Sequence, residues 1–230
     1  MKHTYAIGDV HGCVKTLDAA LRWVDSDASP GDTVVMLGDY VDRGPDSKGV
    51  VELLIRWDAE RPGRFVHVVG NHDVFMRDLV TPKRVGTMAD DLYQNWMLVG
   101  GEPTVASYGA RRGDLVDFLS RVPSTHAAFL WKCVKVHSDD LRVYVHGGIV
   151  PWAAPEDTPE EMLTWVRNSD FAAPDGKLVV CGHTPVTSPK VTANTVNVDT
   201  GCVFGGALTV VKFSDADREP IEFRQFQEEM

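Results

Sequence analysis

Five short apolar runs, each followed by glycine and a polar side chain, constrain the fold of this chain more than any other feature. The runs cover residues 4–7, 33–37, 65–69, 141–145 and 178–181. Apolar, β-branched runs of this length between glycines are typical of buried strands. Between the first three runs, apolar residues recur at helical spacing, as at Leu17, Leu21 and Val24. Strands therefore alternate with helices, which predicts an α/β fold with parallel strands in the N-terminal half.

The C-terminal part of the chain has a different pattern. Residues 196–198, 207–213 and 221–226 resemble strands without intervening helices, and the last segment alternates apolar and polar residues. Such alternation is typical of a half-exposed antiparallel or edge strand. Together the two patterns predict two mixed β-sheets packed as a sandwich and flanked by α-helices. We expect a single domain over residues 1–230, with a mostly helical insert at about residues 81–125.

Composition and charge exclude several classes of protein. The chain has 230 residues, enough for one substantial core, and its net charge is 23 − 33 = −10. This charge repels nucleic acids and anionic lipids, so we expect neither as a partner. No apolar run is long enough to span a bilayer, and the first residues lack a signal-peptide pattern. We therefore predict a cytoplasmic protein and assume a monomer, since the sequence does not determine the oligomeric state.

Each predicted strand is followed by a side chain that can bind a divalent metal ion. These side chains are Asp9 with His11, Asp39, Asn71, His146 and His183. Ligands of α/β sheets bind at the carboxyl ends of the strands, where such residues meet. A shell that mixes oxygen and nitrogen ligands suits Mn, Fe or Zn better than Ca or Mg. The sequence therefore predicts one binuclear metal site.

Each of these residues also has an ordinary structural explanation. Asp9 and His11 could cap a helix, and Asp39 and Asn71 could occupy turns. The two later histidines could be hydrogen-bonded within the core. One shared site explains why ligand types follow five separate strands, and five unrelated structural roles do not.

Five blocks of sequence resemble the calcineurin-like metallophosphoesterases and occur in the same order. They are Gly-Asp-Val-His-Gly from residue 8, Gly-Asp-Tyr-Val-Asp-Arg-Gly from residue 38, Gly-Asn-His-Asp from residue 70, His-Gly-Gly from residue 146 and Gly-His-Thr from residue 182. The second block is similar to that of the phosphoprotein phosphatase family. Within it, the bacterial and phage-lambda-type serine/threonine phosphatases are most similar.

The resemblance implies a pair of divalent metal ions, most typically Mn, with Fe or Zn as alternatives. It assigns Asp9, His11 and Asp39 to one ion, and Asp39, Asn71, His146 and His183 to the other. Metals in such pairs lie about 3.5–4 Å apart, and the bridging hydroxide attacks phosphorus. Two ions carry +4 against −2 from the two aspartates, so the cluster attracts an anionic phosphoester although the protein is acidic.

The resemblance also assigns the other catalytic roles. Arg43 and Arg167 resemble the two arginines that bind phosphate oxygens, a contact that suits guanidinium groups. A surface ion pair is the alternative for Arg167. Asp42 and His72 resemble the pair that protonates the leaving oxygen, with the carboxylate orienting the imidazole. A purely structural role is the alternative for His72.

The resemblance leaves two substrates open. Asp42 in Val-Asp-Arg-Gly and residues 95–101 are similar to the phosphatases, which favours a serine/threonine protein phosphatase acting on a phosphorylated protein or a small phosphoester. Asp73 and residues 199–209 are similar to the symmetrical diadenosine tetraphosphate hydrolases, which are the alternative. A catalytically silent phosphate-binding scaffold is the third possibility. It would lack a ligand, Arg43 or His72, and all of these are present.

Overall fold

Two mixed β-sheets face each other at the centre of the protein, which confirms the predicted fold class. The computed structural model describes residues 1–81, 87–167 and 170–227. The first sheet has the order β11-β10-β1-β2-β3, with β9 also paired to β10. Its strands are β1 (His3–Ile7), β2 (Thr33–Met36), β3 (Phe65–His67), β9 (Asp199–Thr200), β10 (Ala207–Ser214) and β11 (Pro220–Phe226). Strands β1 to β3 are parallel, whereas β10 and β11 are antiparallel, as the sequence predicts.

The second sheet has the order β4-β5-β6-β8-β7. Its strands are β4 (His137–Ser138), β5 (Arg142–Tyr144), β6 (Leu178–Cys181), β7 (Lys190–Val191) and β8 (Thr195–Asn197). Strands β5, β6 and β8 are parallel, and β4 and β7 add antiparallel edges. The sequence does not predict β4, β7 or β9, because two residues are too few for an alternation pattern.

Helices cover the outer faces of both sheets. They are α1 (Val14–Asp27), α2 (Ser47–Glu60), α3 (Asn71–Leu79), α4 (Thr87–Leu98), α5 (Glu102–Ser107), α6 (Leu115–Arg121), α7 (Ser124–Lys132) and α8 (Glu160–Trp165). Helices α4 to α6 and the start of α7 lie within the predicted insert, of which residues 82–86 fall outside the described residues. No helix of the described ranges is long and apolar enough to cross a membrane.

Alternate residues of each central strand belong to different core layers. In β1, Tyr5 and Ile7 pack against helices α1 and α2, whereas Ala6 packs between the two sheets. In β5, Tyr144 faces the layer between the sheets, and Val143 packs in a third cluster with Leu163 of α8. Since both faces of the central strands are buried, these strands are continuously apolar in sequence.

Candidate active site

The predicted site residues come together where the parallel strands end. Asp9 and Asp39 follow β1 and β2 of the first sheet, and Asn71 begins α3 directly beyond β3. His146 and His183 follow β5 and β6 of the second sheet. The site therefore lies where the carboxyl ends of both sheets meet, as expected for ligand sites in α/β folds.

Asp39 lies at the centre of the site. Its Oδ2 atom is 3.3 Å from Nε2 of His11 on one side and 3.3 Å from Nε2 of His146 on the other. Two groups of possible metal-ligand atoms share this carboxylate, each with its atoms within 4.8 Å of one another. One group is His11, Asp39 and His72, and the other is Asp39, His146 and His183. A carboxylate shared in this way can bridge two cations.

The second group also contains Asn71. Its Oδ1 atom is 3.0 Å from Nε2 of His146 and 3.1 Å from Nδ1 of His183. The other nitrogen of His146, Nδ1, lies 2.8 Å from the carbonyl oxygen of Leu37 and can donate to it. With Nδ1 donating to this carbonyl, Nε2 is the nitrogen left to bind a metal ion within reach of Asn71 and Asp39, as in metal-binding histidines. This donor set fits a divalent cation.

The histidines differ in how they titrate. Burial lowers the pKa of His146, but the Asp39 carboxylate outweighs it and raises this pKa to about 10. The pKa of His11 rises to about 9 because Asp39 likewise outweighs burial. Burial and the nearby His146 instead lower the pKa of His183 to about 4. The Asp39 carboxylate thus favours the protonated, positively charged forms of His11 and His146. Two cations bound at these positions would neutralise the carboxylates instead.

Asp9 is placed differently from the other predicted ligands. It is buried, and its two carboxylate oxygens accept from the backbone N–H of His183 at 3.2 and 3.1 Å. Burial and the neighbouring Asp199 carboxylate raise the pKa of Asp9. Gly182 permits this approach, because a side chain there would collide with the Asp9 carboxylate. The group of ligand atoms around His11 that lie within 4.8 Å of one another contains His72 and not Asp9.

Asp42 and His72 form a buried pair. Nδ1 of His72 lies 2.7 Å from Oδ2 of Asp42, so the second nitrogen of His72 remains for the site. The same carboxylate accepts from Nε1 of Trp96 at 2.7 Å and from the hydroxyl of Thr104 at 2.8 Å. Trp96 and Thr104 lie in α4 and α5 of the insert, and sequence reasoning missed this contact. Its only signal was the similarity of residues 95–101 to the phosphatases.

Both predicted arginines are exposed at the rim of the site. Nη1 of Arg43 is 2.5 Å from Nε2 of His11, and its guanidinium lies over the Phe204 ring, 5.5 Å from the centroid. The positive charge of Arg167 contributes to lowering the pKa of His183, so it acts on the other metal-ligand group. The two cationic side chains thus lie near different metal-ligand groups.

Asp73 lies behind the site rather than in it. The carboxylate is fully buried and accepts from the backbone N–H groups of Asp39 at 2.8 Å, Tyr40 at 2.9 Å and Gly70 at 2.9 Å. Burial and the Asp39 carboxylate raise the pKa of Asp73 to about 7. Asp73 therefore fixes the loop that carries Asp39, and its side chain is enclosed away from any substrate.

Comparisons with known proteins identify the family of this chain. Residues 2–187 match the model of the calcineurin-like phosphoesterase family. The asymmetrical bis(5'-nucleosyl)-tetraphosphatase PrpE of Halalkalibacterium halodurans is 30% identical, with 95% of this chain and 93% of that protein covered. Serine/threonine-protein phosphatase 1 of Salmonella typhimurium is 28% identical over 92% of each chain.

A solved structure shows the same fold. It is the protein serine/threonine phosphatase of Saccharomyces cerevisiae with similarity to human phosphatase PP5, at a TM-score of 0.67 and 15% identity. The match covers 99% of this chain and 80% of that one. The chain therefore belongs to the calcineurin-like phosphoesterase family and is a metal-dependent phosphoesterase of the phosphoprotein phosphatase type.

Proposed function

We propose that this protein hydrolyses bis(5'-nucleosyl) polyphosphates with two divalent metal ions. The proposed ligands are Asp9, His11, Asp39, Asn71, His146 and His183. The observation that carries the proposal is the Asp39 carboxylate, which lies between two groups of ligand atoms. Divalent ions at such a pair of sites lower the pKa of water and neutralise phosphate oxygens.

The similarity to PrpE-type tetraphosphatases supports the substrate class, because it extends over nearly the whole chain. The sequence-based alternative named the symmetrical hydrolases, whereas these relatives are named as asymmetrical ones. We therefore propose cleavage into two unequal nucleotides.

The side chains around the two groups have separate tasks in this reaction. Arg43 and Arg167 bind non-bridging phosphate oxygens from opposite ends of the site, where guanidinium groups form paired hydrogen bonds. The N-terminus of α3, which begins at Asn71, adds a favourable dipole for the anion. His72 donates a proton to the departing oxygen, and Asp42 fixes the orientation of its ring. Asp42 is itself held by Trp96 and Thr104, so the pair is preorganised.

Manganese is the proposed metal, with iron or zinc as alternatives. A shell of carboxylate, amide and imidazole ligands suits these ions and is less typical of calcium or magnesium. The net charge of −10 supports the further proposals that neither nucleic acid nor membrane is a partner and that the protein is a monomer. We also propose that it acts in the cytoplasm.

A serine/threonine protein phosphatase is the second candidate. The buried pair of Asp42 and His72 favours it, because the alkoxide of serine or threonine needs a proton more than a departing nucleotide does. The Salmonella relative at 28% identity supports the same candidate.

A direct comparison of substrates separates the two candidates. The Mn²⁺-loaded protein is given diadenosine tetraphosphate and a phosphoserine peptide at equal concentration, and kcat/KM is measured for each. We expect the dinucleotide to be preferred by about tenfold or more, the scale of discrimination that specific contacts provide. A preference for the phosphopeptide would contradict the proposal and support the second candidate.

The same assay tests the metal requirement. A chelator should abolish activity on either substrate, and added Mn²⁺ should restore it. Asp39→Asn should be inactive, whereas Asp215→Asn makes the same chemical change at an exposed position beyond the end of β10 and should retain activity. Full activity of the demetallated protein would contradict the metal site.

A further inference from the structure

A cavity of about 320 Å³ opens beside Asn71, between helices α3 and α8. Phe75 and Trp165 line it, with ring centroids 6.3 Å apart and ring planes at 82°. Trp165 also contacts His183, at 6.0 Å between ring centroids. The cavity therefore shares Asn71 and the Trp165 side chain with the candidate metal centre. Its volume is at the lower end of the range of about 300–1,000 Å³ for small-molecule sites, which suits one compact group.

The rim of the cavity is acidic. Asp78, Glu160 and Glu161 line it together with Arg77, so its formal charge is 1 − 3 = −2. The guanidinium of Arg77 donates to Glu160 at 2.9 and 2.6 Å and also to Asp78. It is thus neutralised locally and offers little to an anion. A chain of phosphates is repelled by this rim, whereas an uncharged group with amino and hydroxyl donors finds acceptors there.

These properties match a nucleoside. A purine or pyrimidine base can stack on the exposed Trp165 ring and the half-buried Phe75 ring, and its amino group and the ribose hydroxyls can donate to the carboxylates. The Arg43 guanidinium lies at the other metal-ligand group, where it contacts His11 and Phe204, and Arg167, which acts on His183, remains for the phosphate next to the nucleoside. The acidic cavity thus forms a nucleoside-binding end of the site, and the side with Arg43 forms a phosphate-binding end.

We propose that this cavity binds the nucleoside whose own phosphate is attacked, while the remaining phosphates extend towards Arg43. This inference rests on the proposed function and specifies how its substrate is oriented. The oxygen of water then bonds to the α-phosphorus, and the bond from this phosphorus to the bridging oxygen breaks. The nucleoside triphosphate departs with that oxygen and the electron pair and takes a proton from His72. One of the two protons of water restores the His72 proton, and the other passes to solvent. The products are a nucleoside monophosphate and a nucleoside triphosphate.

Binding of adenosine 5'-monophosphate tests the cavity independently of turnover. Calorimetry on the Mn²⁺-loaded protein compares the monophosphate with inorganic phosphate. Phe75→Leu keeps an apolar side chain but removes the ring, so we expect at least fivefold weaker binding of the nucleotide and unchanged binding of phosphate. Phe171→Leu makes the same change at an exposed position that does not line the cavity, so it is the matched control and should change neither.

Hydrolysis in water enriched in oxygen-18 tests the orientation. We expect the label in the monophosphate product and none in the triphosphate. Unchanged nucleotide affinity in Phe75→Leu, label in the triphosphate, or two diphosphate products would each overturn the inference. Absence of dinucleotide hydrolysis by the unaltered protein would instead overturn the proposed function, and nucleotide binding would still report on the cavity.

Discussion

Backbone strain in this protein is concentrated at individual site residues. Among the described residues, five non-glycine residues have a positive φ, and all five belong to the predicted site. They are His11 at 44°, Asp39 at 52°, Asp42 at 76°, Arg43 at 66° and His183 at 66°. The left-handed region is unfavourable for residues with a Cβ atom and is tolerated mainly where function requires it. The strained backbone therefore lies in the loops that hold the predicted site residues.

Arg43 allows this strain to be measured. At φ 66°, glycine is relaxed and alanine is not, so we expect Arg43→Gly to be more stable than Arg43→Ala by about 1 kcal/mol. Both variants should lose activity to the same extent, because both lack the guanidinium. Urea unfolding measures the stability difference, and kcat/KM measures the loss of activity. Equal stability of the two variants would mean that residue 43 is not left-handed in solution.

His72 is expected to act as an acid at the leaving oxygen. In His72→Asn the loss of rate should be greatest for substrates with basic leaving groups, by about 100-fold or more, because only those need a proton. The measurement compares phenyl phosphate with 4-nitrophenyl phosphate, whose leaving group is less basic. Asp42→Asn should show the same pattern in weaker form, because it removes the partner of Nδ1. Equal losses on both substrates would remove the acid role of His72.

Sequence reasoning at the residue scale identified the chemical types that follow each strand. Asp39, Asn71, His146 and His183 each stand after a short apolar run, and this local pattern is visible in the chain. The contact between Asp42 and Thr104 is not, since it joins residues 62 positions apart in different elements. The buried position of Asp73 behind the Asp39 loop likewise depends on tertiary packing, which no local pattern encodes.

At the scale of elements, the helices of the insert support the catalytic pair. Trp96 of α4 and Thr104 of α5 both donate to the Asp42 carboxylate, and Thr104 also accepts from the backbone N–H of Asp42 at 2.8 Å. Asp42 has no exposed surface, so each of these hydrogen bonds replaces one to water. The insert thus fixes the orientation of His72 through Asp42.

Trp96→Phe tests this support. The substitution keeps an aromatic ring but removes the indole N–H, leaving a buried carboxylate with one donor fewer, which costs about 1–3 kcal/mol of stability. We also expect kcat to fall for substrates with basic leaving groups, because Asp42 holds the His72 ring in place less firmly. Trp57→Phe makes the same change in α2 and is the control for loss of ring volume. An unchanged kcat in Trp96→Phe on such substrates would show that the helix supports the fold alone.

The long, apolar elements were predictable and the short or polar ones were not. The buried faces of α1 and α2 follow from their apolar spacing, as Leu17 and Leu54 show. Helix α3 was missed because its first turn begins with the polar residues Asn71, His72 and Asp73, which are buried at or behind the site and not in an apolar core. When the ligands of a site lie in the first turn of a helix, that turn lacks the apolar spacing from which a helix is predicted.

At the scale of the whole molecule, the site joins the two sheets. Asp9 and Asp39 extend from the first sheet, and His146 and His183 extend from the second. The sequence predicted both sheets, but not which ends would face each other, because that depends on how the apolar layer between them packs. Asp9, Asp39 and Asp199 place three buried carboxylates at this junction. Cations there would cancel their repulsion and link the two layers.

Metal removal should therefore loosen the whole fold and not only the site. A ligand at 100 times its Kd stabilises the native state by about 2.7 kcal/mol, which corresponds to a rise in Tm of about 5–11 °C for a chain of this size. Calorimetry with and without chelator measures this rise. Asn71→Ala removes one ligand on α3 and should reduce it, whereas Asp215→Asn should leave it unchanged. A Tm that neither chelator nor added Mn²⁺ moves would mean that no cation links the two sheets.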